Sequence, residues 1–139
     1  MPVINNVAVI GAGTMGARIA AVMARAGYNV RLWSRSASTL QKAQAMVQCL
    51  GVCAGVHYSC VLEECLADAD MVSENVAEDV ALKQNLLQRI EQQVSTDCLL
   101  TTNTSSVSIT LLASTLRDPT LLIRMHWFNP ADTMQMIEI

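Results

Sequence analysis

Three short stretches of this 139-residue chain carry the groups that chemistry needs. The first is Gly11-Ala12-Gly13-Thr14-Met15-Gly16, a G-x-G-x-x-G pattern. The second holds Ser105, within Asn103-Thr104-Ser105-Ser106. The third is His126-Trp127-Phe128-Asn129-Pro130, with Glu138 twelve residues beyond the histidine. A glycine loop that opens a helix suits a pyrophosphate. One glycine makes the turn, one lets the backbone come close, and one lets the helix pack on the sheet. The free N–H groups and positive dipole of the helix start supply the anion site. Histidine moves protons at neutral pH, as the oxidation of a secondary alcohol by a nicotinamide requires. A carboxylate such as Glu138 can hold one imidazole tautomer and stabilise the protonated ring. The plain alternatives are a glycine-rich turn without a ligand and a histidine satisfied within a core.

The order of elements decides what these residues can reach. Val7 to Ile10 is a short apolar run that leads into the glycine loop, and a helix-period segment with Ile19, Val22, Met23 and Ala26 on one face follows. Gly27 sits where a helix ends, and Asn29 to Trp33 reads as a second strand. A helix over about 38–50, a short strand at Val56-His57-Tyr58, a short helix from Val61 to Leu66 and a strand after Asp70 come next. Asp79 opens a long helix to about Val94, whose stripe Leu82, Leu86, Ile90, Val94 is expected to face the core. Cys98 to Thr102 is a buried strand, and Ser108 caps a helix carrying Ile109, Leu111, Leu112 and Leu116. Asp118-Pro119 ends that helix, and strands follow at Leu121–Met125 and Met134–Ile139. Such alternation demands an α/β domain with an open, mostly parallel sheet and helices on both faces. Ligands of such sheets bind beyond the carboxyl ends of the strands, where Ser105, His126 and Asn129 fall.

The length suits one domain. A net charge of -3 and few aromatics leave no footprint for nucleic acid. The chain shows no signal peptide, and arginines interrupt its most apolar stretch, so no membrane span is expected. Five cysteines (Cys49, Cys53, Cys60, Cys65 and Cys98) without a leader point to reduced, buried or half-buried thiols in the cytoplasm. Their spacing with His57 is too loose for a metal site, so none is expected. The hydrophobic fraction of 52% is high for a domain standing alone, as if a face awaits a second domain or subunit.

From Val7 to Ile139 the chain resembles the N-terminal NAD-binding domain of the L-3-hydroxyacyl-CoA dehydrogenases. The glycine loop, the segment Glu74 to Lys83, the N-T-S-S and H-W-F-N-P stretches and Met134-Gln135-Met136-Ile137-Glu138 carry that resemblance. It implies a Rossmann-type, doubly wound fold spanning residues 1–139, with NAD as cofactor and an acyl thioester, on CoA or a carrier, as substrate. By motif position His126 is the general acid/base, Glu138 its partner, and Ser105 the hydrogen-bond donor to the substrate oxygen. Gly11, Gly13, Thr14, Met15 and Gly16 cradle the cofactor, Asn129 lies against it, and Glu78 and Lys83 contact it. An acid and a lysine on a solvated first helical turn is the plainer reading of that last pair.

The sequence departs from the family in four places. Ser34-Arg35 stands where an aspartate ordinarily takes the adenosine ribose, which opens the cofactor to NADP. Only forty residues separate Ser34 from Glu74, so the family's helical excursion there is short and a CoA substrate is less secure. Gln135 replaces a lysine. The all-helical C-terminal domain of the family is absent from this chain, so such a domain or a second copy is the expected partner. Two further readings stay open: a module that binds dinucleotide without turnover, and a subunit that docks a partner.

Overall fold

A computed structural model describes residues 3–139. Six parallel strands form one sheet: β1 (Asn6–Ile10), β2 (Asn29–Trp33), β3 (Val56–Ser59), β4 (Met71–Glu74), β5 (Leu99–Thr102) and β6 (Leu122–Arg124). Their order is β3-β2-β1-β4-β5-β6, which reverses direction between β1 and β4. Alternation along β1 feeds two cores. Val7 and Val9 pack with helices α1 (Thr14–Arg25) and α2 (Ala37–Cys49). Ala8 and Ile10 pack with α3 (Leu62–Leu66), α4 (Val80–Glu91) and α5 (Ile109–Ala113) on the other face. The expected doubly wound α/β architecture is therefore present.

Pairing brings the carboxyl ends of the strands level. Ile10 lies beside Trp33 and Glu74, Glu74 beside Thr102, and Thr102 beside Arg124. The residues that leave this edge are Gly11, Ser34, Asn75, Asn103 and Met125, each within or directly before a stretch singled out above. Ser36, Asp79 and Ser108 cap α2, α4 and α5 by accepting the N–H of Thr39, Leu82 and Leu111.

Several expectations need correction. Of the four-residue stripe on α4, Leu86 and Ile90 are buried and Val94 packs against the same core, but the first member, Leu82, is exposed. Lys83 and Leu87 complete the buried face with Leu86 and Ile90. Helix α4 also stops at Glu91, short of Val94. Helix α5 ends at Ala113, leaving Leu111 exposed and Leu116 buried beyond it. The last segment is no strand of the main sheet. Only β8 (Ile137–Glu138) pairs, antiparallel, with β7 (His126–Trp127), which offers two residues to bond. Cys65 and Cys98 are buried, but Cys49, Cys53 and Cys60 are exposed, since they fall at a helix end and in loops.

Candidate functional site

The glycine loop is shaped by contacts that allow no side chain. Gly11 has φ +107°, and its N–H donates to the Trp33 carbonyl at 2.9 Å. A Cβ on Gly16 would stand 1.8 Å from the Gly11 carbonyl oxygen, so the turn and α1 touch backbone to backbone. Gly13 is different: a Cβ there would meet nothing within 4 Å, leaving open space over the helix start. No side chain caps α1, and no acid lies in its first turn. Its first N–H groups thus face that space without an internal acceptor.

Beside the loop, Met15, Asn75, Glu78, Lys83, Ser105, His126 and Asn129 all line one cavity of about 490 Å³. Hydrogen bonds hold its walls together. Asn103 Oδ1 accepts the N–H of Trp127 at 2.8 Å, tying the N-T-S-S loop to the H-W-F-N-P loop. Glu78 accepts the Thr104 hydroxyl at 2.7 Å and the Ser106 hydroxyl at 3.2 Å. Burial pushes the Glu78 carboxyl up, but these hydroxyls, the Ser105 N–H and the Lys83 charge outweigh it and hold it below the usual range. An ion pair between Arg18 and Asp132 ties α1 to the turn after Pro130.

Lys83 is no solvated first-turn lysine, being 1% exposed. Its ammonium donates to both oxygens of Glu74, at 2.8 and 3.1 Å, and to the Val76 carbonyl at 3.0 Å. Glu78 stands 4.0 Å from it. Glu74 is itself completely buried and accepts the Thr102 hydroxyl at 2.6 Å and the Val76 N–H at 2.7 Å.

His126 is half-buried, with Nδ1 3.6 Å from Glu138 Oε2, a distance for an ion pair when the ring is protonated. The other oxygen, Oε1, accepts from Arg124 Nη2 at 2.7 Å. Glu138 is not on the cavity wall, so it reaches the site only through His126. Ser34 and Arg35 are elsewhere. With Gly11 they line a second cavity of about 370 Å³, which shares Val76 and Ala77 with the first. The two cavities thus form one groove across the carboxyl edge of the sheet.

This groove fits a dinucleotide on the structure's own terms. It offers uncapped N–H groups, an open approach at Gly13, and a buried Asn75 Oδ1 that has no partner among the described residues. Comparison with known proteins agrees. The 3-hydroxyacyl-CoA dehydrogenase NAD-binding domain model matches residues 6–54 and 48–139. The chain belongs to that family. NAD is the cofactor of this kind of domain. A 3-hydroxyadipyl-CoA dehydrogenase of Escherichia coli K12 is 34% identical over 151 residues, covering 98% of this chain and 32% of that protein. The 5-formyl-3-hydroxy-2-methylpyridine 4-carboxylate 5-dehydrogenase of Mesorhizobium japonicum is 32% identical over 149 residues, covering 98% and 48%. The crystal structure of an Escherichia coli K12 3-hydroxybutyryl-CoA dehydrogenase superposes with a TM-score of 0.88 at 34% identity, over 98% of this chain and 32% of that one.

The chain therefore spans between about a third and a half of the length of these relatives. Both sequence alignments are longer than the chain's 139 residues, so the relatives carry residues that this one lacks. The two stretches matched to the dehydrogenase domain meet at residues 48–54, the connection from α2 to β3. It lies within the interval from Ser34 to Glu74 over which a shortened excursion was expected. Sequence reasoning gave no site role to Glu74, Asn75, Asn103 and Arg124, although the first three lie in segments it singled out. Their signal was positional, since each ends or directly follows a strand.

Proposed function

We propose that the protein carrying this chain oxidises and reduces a 3-hydroxyacyl thioester, on CoA or a carrier, with a nicotinamide dinucleotide. A bound nicotinamide supplies the hydride donor or acceptor. His126 takes the proton from the substrate hydroxyl in oxidation and returns it to the carbonyl oxygen in reduction. Glu138, fixed by Arg124, balances the charge of the protonated ring. The Ser105 hydroxyl, free of protein partners among the described residues, donates a hydrogen bond to the same substrate oxygen. Asn129, Glu78 and Lys83 shape the wall against which the cofactor lies, and residues 11–16 hold its phosphates.

One observation carries this reading: His126, Ser105 and Asn129, far apart in sequence, share one cavity beside the glycine loop. The names of the relatives support the acyl thioester. Their extra length, and the exposed Met134, Met136 and Ile137, support a helical C-terminal domain or a second copy packed over this face. No helix among the described residues is long and apolar enough to cross a membrane, and five free cysteines support a cytoplasmic setting.

The test is reduction of acetoacetyl-CoA by the complete natural chain, followed by loss of reduced-nicotinamide absorbance. His126→Gln should lower kcat by roughly 10²–10⁴-fold, the span of general acid–base catalysis, and leave cofactor affinity within about twofold. Retained kcat in that variant would refute the role of His126.

A further inference from the structure

The nine lysines and arginines fall into two groups. Arg18, Arg25, Arg31, Lys83, Arg117 and Arg124 each donate to a carboxylate or carbonyl of the protein. Arg35, Lys42 and Arg89 make no hydrogen bond or ion pair among the described residues. Two of these three, Arg35 and Arg89, line the same cavity of about 370 Å³. They come from distant places, one just past β2 and the other in the last turn of α4. No aspartate or glutamate is on its wall.

Both arginines are exposed and carry no protein partner among the described residues, so an anion entering this cavity meets two free guanidiniums. The cavity begins at the glycine loop, because Gly11 bonds to Trp33 and Ser34 is the next residue. In a dinucleotide-binding βαβ unit the adenosine ribose comes to this point. An acid there accepts its hydroxyls, whereas an arginine accommodates a 2′-phosphate. Leu82, Asn85, Leu86 and Arg89 recur at helical spacing on one face of α4 and form the opposite wall. That placement accounts for the exposure of Leu82, and with Trp33 it gives an adenine ring an apolar surface.

We propose that this end of the groove is a 2′-phosphate site, formed by Arg35 and Arg89 with the Ser34 hydroxyl, and that the domain takes NADP(H) in preference to NAD(H). The assignment rests on the dinucleotide reading of the groove and adds which dinucleotide it selects. Arg35 supplies a bidentate guanidinium from the sheet side, and Arg89 a second from the helix side. Ser34 is nearly buried and accepts the N–H of Ser36 at 3.2 Å, which leaves its proton for the phosphate.

The test is calorimetric titration of this chain with NADPH and NADH at one ionic strength, alongside adenosine 2′,5′-bisphosphate and 5′-AMP. NADPH should bind at least about tenfold more tightly, and the bisphosphate should show the same advantage over 5′-AMP. Arg35→Ala and Arg89→Ala should each remove roughly tenfold of that preference while NADH affinity changes by less than about twofold. Lys42→Ala, the third unpaired cation, should change nothing. Ser34→Asp should reverse the preference, since its carboxylate can still accept the Ser36 N–H but repels the phosphate. Equal or tighter binding of NADH overturns the proposal and leaves the groove a dinucleotide site. A preference that survives the loss of both arginines overturns the assignment to these residues. Binding of neither cofactor, with an unchanged circular dichroism spectrum, overturns the dinucleotide reading itself.

Discussion

Lys83→Met should be the most informative change to the fold beneath the site. It removes the cation from a pair in which Lys83 is 1% and Glu74 0% exposed. Breaking such a pair costs about 3–5 kcal/mol, because a buried charge loses its counter-ion. Glu74 would keep two neutral donors, the Thr102 hydroxyl at 2.6 Å and the Val76 N–H at 2.7 Å. Those bonds place the expected loss at the low end, about 3 kcal/mol. Against a domain stability of about 10 kcal/mol the variant still folds. Its Tm should fall by about 9 °C, at about 3 °C per kcal/mol for a domain of this size. Urea titration at pH 7, read at unchanged m-value, measures the difference. The double variant Glu74→Gln/Lys83→Met should recover at least half of it, because no isolated charge then remains. The Val76 carbonyl also loses a donor at 3.0 Å, and Val76 lines both cavities, so dinucleotide affinity should fall with stability. A loss below about 1 kcal/mol in Lys83→Met, or a double variant as unstable as the sum of the single ones, would refute this reasoning.

Other changes separate folding from binding. Gly16→Ala drives a Cβ onto the Gly11 carbonyl, so melting and cofactor titration should both show losses, whereas Gly13→Ala has room and should weaken only binding, by about tenfold or more. Burial pushes the Glu91 carboxyl up, but the N–H groups of Arg117 and Asp118 and the Arg117 charge bring it below its ordinary 4.5. Its contribution is therefore complete above that value and fades as pH falls through the lowered one; Glu91→Gln should cost about 1–2 kcal/mol at pH 7 and progressively less in acid denaturation as the pH falls through that range. Burial pushes the thiols of Cys65 and Cys98 up, to about 11 and about 12, and shields them from reagent. A thiol-reactive dye at pH 8 should label Cys49, Cys53 and Cys60 rapidly and the other two only after unfolding.

The strands, the caps and the glycine loop were legible because each rests on local chemistry. Apolar runs mark buried parallel strands, Ser36, Asp79 and Ser108 cap helices, and Gly11 takes a backbone conformation that favours glycine. The core face of α4 was legible at Leu86, Ile90 and Val94; Leu82 was misplaced because it lines the cavity beside Arg35. Lys83 was read as a cofactor contact or, more plainly, a solvated lysine, and its buried pairing was missed because its partner, Glu74, lies on a strand nine residues earlier and only the fold buries the two together. Arg124 shows the same limit: it sits two residues before His126, yet its carboxylate partner returns only with the β7–β8 ribbon. Such pairings depend on tertiary contacts that no local pattern records.

The central claim is that a dinucleotide lies along the carboxyl edge of the sheet with its reactive ring at His126. The chain has two histidines, and His57 stands exposed on edge strand β3, away from the groove. Titration with reduced cofactor, followed by the histidine ring resonances in NMR, reads both positions at once. Saturable shifts at His126 with His57 unmoved are the expected result. Saturable binding that leaves the His126 ring resonances in place would contradict the account.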